Sequence, residues 1–420
     1  MSLPENGSRM PSGSIFHSPG TQEKQASLSL FVDVSIISVE DAGTGIQRVV
    51  RAVATRLQPA LRDGVRIVPV AYRPGAGYRT AAWGPWQDRT PGQLIQPSEG
   101  DVFLGLDLSV RNLPTCDAQF AEWRQMGLRI YLLVHDLLPA TNPRWFRPAA
   151  VRSFRRWLQF LSRHADGALC VSHSTAEALH GWLTRHASNE RRKPRIDVIP
   201  LSGDMEGAYH TRGRPQDADA LLRWVASAPT ILMVGTVEPR KGYDIALKAL
   251  RRLRASHPRV TINLLIVGRP GWKSRLLQWQ IRRTASTRVD VRWLQDAQDE
   301  LVSELYRACA LYLNCSRGEG FGLPVAEALH NGATVVASDL PVFRELFDGK
   351  VRFFRRDDPV DLAVALADAL DPARVRSRHM RNVHLDPCTA TNWTTTTEAI
   401  LEAIDKDGGQ LLTRSVLIRA

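Results

Sequence analysis

Short apolar runs alternate with amphipathic stretches along most of the chain. Leu28–Ser38, Val65–Ala71, Asp101–Leu106, Arg129–Val134, Ala168–Ser172 and Ile196–Pro200 read as buried strands. Pro229–Gly235, Thr261–Gly268, Val289–Leu294, Ala310–Ser316 and Ala333–Ser338 form a second such series. Between them apolar residues recur at helical spacing over Ile46–Leu57, from about residue 149 to 164, Tyr243–Leu253 and Asp361–Leu370. Strand–helix alternation of this kind builds α/β domains with parallel sheets. The polar stretch Gly203–Asp219 divides the two series and reads as a linker. Residues 1–26 are rich in Ser, Gly and Pro without an apolar core, and read as a disordered tail, not a signal peptide.

The most informative unit is Arg317–Gly332, RGEGFGLPVAEALHNG. A strand runs into the glycine turn Gly320-Phe321-Gly322-Leu323, and Pro324 opens an Ala/Leu-rich helix closed by Asn331-Gly332. The first turn of such a helix presents unpaired N–H groups and the positive end of its dipole to an anion. Glu319 and Glu327, eight residues apart, flank that cradle with hydroxyl-binding carboxylates, an arrangement suited to a sugar nucleotide. The bland alternative is a strand–turn–helix unit of another Rossmann-like domain, with two surface glutamates. The carboxylate spacing, the EGFGLP turn and the small-residue helix resemble the E-x7-E signature of retaining glycosyltransferases of family 4. That resemblance covers about residues 28–405, is strongest over 229–345, and implies the GT-B fold: α/β, with two Rossmann-like domains facing across a cleft. On this reading an acceptor domain spans 27–205 and a donor domain 206–389. A helix at 390–408 returns to the first domain, and 409–420 is a tail.

Composition narrows the class. At 44% hydrophobic and 23% charged residues, the 420-residue chain reads as a soluble globular protein with room for two cores. Five scattered cysteines without CxxC spacing read as reduced thiols, which points to the cytoplasm. No apolar run is long enough for a membrane span. The net charge of +12 suits an anionic partner: nucleic acid, acidic membrane or phosphorylated substrate. Nucleic acid is disfavoured, because no helix-turn-helix or aromatic-basic strand pattern is found. Within residues 144–164, Arg152, Arg155, Arg156 and Arg163 gather opposite Phe154, Trp157, Leu158 and Leu161. That face is either simply solvated or attached to acidic lipid head groups, which would make the protein peripheral on the inner face of the cytoplasmic membrane.

Other motifs add chemistry. Gly43-Thr44-Gly45 stands between the first strand and its helix, where backbone can approach a phosphate. A dinucleotide fingerprint needs a third glycine where this chain has Arg48, which argues against NAD. His135 follows a strand's carboxyl end, where a parallel sheet opens its ligand crevice; alone it reads as structural, and Asp136 beside it as an orienting partner or a loop cap. Arg240 and Lys241 follow the first strand of the second half and are suited to grip phosphate. Asp217-Ala-Asp219 and Asp405-Lys-Asp407 match a D-x-D metal pattern formally but lie in polar linker and tail. Asp299 reads as a helix N-cap.

The resemblance assigns roles. His135, in VHDLLP, faces the transferred sugar, and Glu319 holds that sugar's hydroxyls. Glu327 binds ribose. Lys241, Arg240 and the amides of Gly322 and Leu323 neutralise the leaving diphosphate. Gly43, Thr44, Gly45, Gly235, Thr236, Gly268, Gly320 and Phe321 complete the donor-binding set. The family often has arginine where this chain has Thr236, leaving open whether Arg240 compensates. Transfer with retention by front-face attack is implied, with no metal and no cofactor. HDLLP, TVEPRKG and the Gly268–Trp272 turn look most like mannosyl- or rhamnosyltransferases of O-antigen and exopolysaccharide assembly. That suggests GDP-mannose, with other GDP-sugars and UDP- or dTDP-sugars open, and a lipid-linked or oligosaccharide acceptor. A sugar-nucleotide epimerase and a non-catalytic sugar-nucleotide or polyanion binder are the competing readings.

Overall fold

The computed structural model describes residues 28–186, 193–208, 211, 213–258, 261–371, 391–408 and 411–412. The expected N-terminal tail, the 389/390 domain boundary and Cys388 lie outside them.

The first sheet contains β1 (Ser29–Asp33), β2 (Arg66–Arg73), β3 (Gly77–Thr80), β4 (Val102–Gly105), β5 (Arg129–Val134), β6 (Gly167–Cys170) and β7 (Arg195–Val198). Its order is β3-β2-β1-β4-β5-β6-β7, parallel throughout except for the β2–β3 hairpin. Its helices are α1 (Gly45–Ala60), α2 (Asp117–Gln125), α3 (Leu138–Thr141), α4 (Pro148–His164) and α5 (His173–His186). The second half opens with α6 (Ala218–Ala226). Its sheet contains β8 (Thr230–Val234), β9 (Asn263–Val267), β10 (Val291–Leu294), β11 (Leu311–Asn314), β12 (Val335–Ser338) and β13 (Arg352–Phe354), all parallel in the order β10-β9-β8-β11-β12-β13. Around it lie α7 (Tyr243–Ser256), α8 (Arg275–Thr287), α9 (Asp299–Ala308), α10 (Leu323–His330), α11 (Pro341–Phe347) and α12 (Pro359–Ala369). Strand order reverses between β1 and β4 and again between β8 and β11, and ligands of open α/β sheets bind beyond the carboxyl ends at such points.

Three expectations need correction. The run Leu28–Ser38 yields only a five-residue strand, because side chains take over the backbone donors beyond Val34. Asp33 Oδ1 accepts from Ser35 N at 3.0 Å, and Asp107 Oδ2 accepts from Ile36 N and Ile37 N, both at 2.8 Å. Burial raises both carboxyls, that of Asp107 to about 7 with help from the charge of Asp33. Second, Asp299 is the first residue of α9 and not its cap; its carboxylate is drawn to Arg48 instead. Third, Leu411 and Leu412 of the expected tail are buried, with Leu412 bridged to Leu61 and Leu411 O accepting from Arg62 N at 2.8 Å.

The last helix, α13 (Trp393–Asp405), packs along α1 of the first domain. Trp393 Nε1 donates to Asp204 O at 2.6 Å, and Tyr131 Oη to Asp407 Oδ2 at 2.9 Å. Asn392 starts the helix with a capping box, which contributes about 1 kcal/mol. One continuous apolar core includes β1, α1 and α13 together with Phe321, Val325 and Phe343 of the second domain. The two domains therefore meet closely along the crevice.

Candidate active site

The crevice centres on the loop after β11. Glu319 Oε1 accepts from Lys241 Nζ at 2.5 Å and from Ser316 Oγ at 2.6 Å, while Oε2 accepts from Arg240 at 2.7 Å. Burial by itself would raise this carboxyl, but Arg240 and Lys241 outweigh it and hold it down to about 2. Glu319 is therefore ionised at neutral pH. Arg240 also reaches Glu238 at 2.9 Å and Gly318 O at 3.2 Å. Its guanidinium is fixed by two carboxylates, whereas Lys241 reaches the same glutamate on a flexible stem.

Gly322 and Gly320 shape the loop. Gly322 caps α10 at φ 94°, a left-handed conformation that favours glycine, and Phe343 fills the space a side chain would need. Gly320 lies against the His135 carbonyl, where any Cβ would overlap it. Its own carbonyl accepts from Ser172 Oγ at 2.6 Å and Thr175 Oγ1 at 3.2 Å, so the first domain grips the turn from both sides. Glu345 strengthens that grip by accepting from His173 N at 2.6 Å and Ser174 N at 2.9 Å at the start of α5.

His135 is buried, with Nε2 3.3 Å from Leu106 O. A carbonyl can only accept, so Nε2 carries the proton and Nδ1 the lone pair. Burial lowers the ring to about 4. The neighbouring Asp136 caps Leu138 N at 2.9 Å; burial raises its carboxyl, against the pull of Arg240. The unfolded chain takes up this histidine's proton near pH 6.5 and the folded one only near 4, so stability is lost as pH falls through that window. The window is worth roughly 3 kcal/mol. We expect His135→Asn to remove this component, so that urea titrations at pH 7 and 4.5 differ less for the variant than for the parent; equal differences would overturn the assignment.

Glu327 stands apart from Glu319. It is buried on α10, with Oε1 paired to the Arg48 guanidinium and Oε2 accepting from Tyr306 Oη at 3.1 Å. Arg48 also pairs with Asp299 at 2.7 Å. Burial works against the charge on Arg48, but Glu327 and Asp299 outweigh it and keep the guanidinium protonated. An arginine from the first domain thus sits between two acids of the second. In the sequence Arg48 stands out only as the position where a dinucleotide fingerprint needs its third glycine. Its place one turn into the helix after the glycine loop was the available signal.

The remaining candidates divide. Gly45 is within reach of Leu323: a Cβ there would lie 3.2 Å from Leu323 Cδ1, so glycine loop and cradle adjoin. Thr44 caps α1, accepting from Gln47 N at 3.3 Å. Gly235 ends β8 beside Lys241, its carbonyl accepting from Tyr243 Oη at 2.6 Å. Gly268 packs against Gly235, and Thr236 against Gly271. Phe321 is buried against Phe347. The D-x-D acids are engaged elsewhere: Asp219 with Arg214, Asp405 with Leu411 N, and Asp407 with Arg195 and Tyr131. Among the described residues no group of three or more His, Cys, Asp or Glu side chains could hold a metal ion.

Residues 228–371 match the family model described as glycosyl transferases group 1. The chain is 34% identical over 354 residues to the serotype-specific mannosyltransferase WbdA of Escherichia coli, an alignment covering 83% of this chain but 43% of that one. It is 30% identical over 357 residues to a D-inositol 3-phosphate glycosyltransferase of Nocardia farcinica, covering 76% of this chain and 77% of the relative. Among solved structures, HepE of Anabaena, crystallised with UDP and glucose, superposes with a TM-score of 0.61 at 16% identity over 90% of this chain and 100% of that one. The paired parallel sheets, the acid-and-cation crevice between them and a relative matched over most of its length lead to one conclusion: this chain belongs to the group 1 glycosyltransferases and has the GT-B fold.

Proposed function

We propose that the protein transfers mannose from GDP-mannose, with retention, onto a lipid-linked or oligosaccharide acceptor in O-antigen or exopolysaccharide assembly. The observation that carries the reading is the meeting of Lys241 and Arg240 with Glu319 at the β8/β11 crevice, on a loop whose Gly320 lies against His135 and Asp136. The 34% identity to a mannosyltransferase supports the choice of sugar. On this reading the donor diphosphate lies on the amides of Gly322 and Leu323, and Lys241 stabilises the charge that develops as the glycosidic bond breaks. Such preorganised donors are usually the largest contribution to catalysis. Glu319, kept ionised, accepts hydrogen bonds from hydroxyls of the transferred sugar, and Glu327 from those of ribose. A carboxylate offers about four lone-pair sites, so Glu327 retains capacity beyond Arg48 and Tyr306. His135, neutral at pH 7, contacts the sugar without adding charge. The donor phosphate assists deprotonation of the acceptor, and neither metal nor cofactor takes part. The exposed Arg152, Arg155 and Arg156 of α4 face an acidic membrane surface. No helix among the described residues is long and apolar enough to cross a membrane.

A second reading, a UDP-sugar transferase of the same fold, has support from the UDP and glucose bound to HepE. A nucleotide-sugar panel separates the two. At a ligand concentration of 100 Kd the stabilisation is about 2.7 kcal/mol, a shift of roughly 5 °C or more for domains of this size. We expect GDP-mannose to give the largest shift and to be turned over with a lipid-linked acceptor. A larger shift with a UDP-sugar would move the assignment to the second reading. Binding without turnover by any donor–acceptor pair would make the protein a sugar-nucleotide binder.

A further inference from the structure

Two segments are rich in cations and hold no carboxylate. Residues 137–163 hold six arginines and no carboxylate, and residues 267–289 hold five arginines, one lysine and no carboxylate. Removing these twelve cations leaves 43 Lys plus Arg against 43 Asp plus Glu. The segments also touch, although they belong to different domains: Trp272 Nε1 donates to Trp145 O at 2.9 Å, Lys273 Nζ donates to Arg144 O, and the Phe146 and Trp272 rings stack 6.0 Å apart.

The second segment contains α8, whose exposed face is unusual. Gln278 and Ile281 are buried toward the domain, while Leu276 is 69% and Trp279 52% exposed. At 100° per residue, Leu276, Trp279 and Arg283 form one stripe, with Arg275 and Arg282 along its edge. The Arg283 guanidinium lies 5.2 Å from the Trp279 ring centre, which keeps the indole at the surface beside a cation. A helix with leucine and tryptophan amid arginines and no acid has the chemistry of an interfacial helix.

We propose that α8 is a membrane anchor of the second domain. Leu276 and Trp279 enter the boundary between head groups and acyl chains of an anionic bilayer. Arg275, Arg282, Arg283 and Lys273 engage lipid phosphates, as do Arg144 and Arg147 across the domain junction. Neither set suffices alone: isolated surface cations are screened by salt, and two apolar side chains bury little area. Because the patch straddles the junction, docking contacts both domains at once and favours the closed crevice. This deepens the membrane-surface reading above, and its test uses neither donor nor acceptor, so it can fail independently of the proposed transfer reaction.

The test is co-sedimentation of the full chain with vesicles of phosphatidylglycerol and phosphatidylcholine, and with vesicles of phosphatidylcholine alone. The expected result is binding to the anionic vesicles only, reduced at least tenfold by Leu276→Ser combined with Trp279→Ser, with thermal stability unchanged because both side chains are exposed. Arg275→Glu with Arg283→Glu should give a similar loss. Undiminished binding of the Leu276→Ser, Trp279→Ser variant would overturn the anchor. So would absence of parental binding, or equal binding to vesicles of phosphatidylcholine alone.

Discussion

Lys241→Ala is expected to lower kcat by about 10²- to 10³-fold, the range seen when one preorganised donor to developing charge is removed. Lys241 stands at the carboxyl end of β8 with its ammonium 2.5 Å from Glu319. After its removal, Arg240 at 2.7 Å and Ser316 at 2.6 Å still hold Glu319, so the glutamate keeps a cationic partner and the protein its fold. The loss should therefore appear in turnover, with thermal stability little changed. Lys241→Arg should not restore activity, because a planar fork cannot replace a compact ammonium in a space already bounded by Arg240. The check is steady-state kinetics with the donor identified by the nucleotide-sugar panel. Turnover of the alanine variant within threefold of the parent would remove Lys241 from the mechanism and shift the diphosphate to Arg240 and the α10 amides.

Arg48→Met should have the largest effect on stability. The side chain is nearly inaccessible and neutralises two acids of the opposite domain. Deleting one member of a buried ionic cluster leaves uncompensated charge and costs about 3–5 kcal/mol. The protein has one escape from that cost: opening the crevice hydrates Glu327 and Asp299 at the expense of the apolar contacts between domains. Calorimetry together with small-angle scattering distinguishes the two responses. We expect a lower unfolding temperature, a larger radius of gyration, or both. A variant unchanged in each would show that the Arg48 cluster does not hold the domains together. Combining Arg48→Met with Asp299→Asn should recover part of the loss, since the second change removes one orphaned charge, and the non-additivity measures their coupling.

How much of this was legible beforehand varies by element. The strand at Arg129–Val134 and the helices expected from residue 46, about residue 149 and residue 243 follow from apolar periodicity, and the structure starts them within a residue or two of those positions. The hairpin strand β3 has no signal in the sequence, because GYRT is short and lacks an apolar run. The first strand is shorter than its apolar run, which Val34, Ile36 and Ile37 continue. Two buried aspartates, 74 residues apart in sequence, end it by taking its donors.

The E-x7-E unit, its glycine turn and the cations of Val237–Lys241 are local in sequence, and their chemistry depends on spacing and residue type. They point to an anion cradle flanked by two carboxylates, and their resemblance to family 4 glycosyltransferases implies the paired α/β fold that the structure shows. The identity of each carboxylate's partners was not local. Glu319 finds Lys241 and Glu327 finds Arg48 because strand order, domain contact and the returning helix α13 bring distant segments together. Neighbouring cations then hold Glu319 down to about 2 against the effect of burial, and burial lowers His135 to about 4. A residue's type limits the protons and hydrogen bonds it can exchange. Desolvation and neighbouring charge depend on distance in space, and no pattern along the chain encodes them.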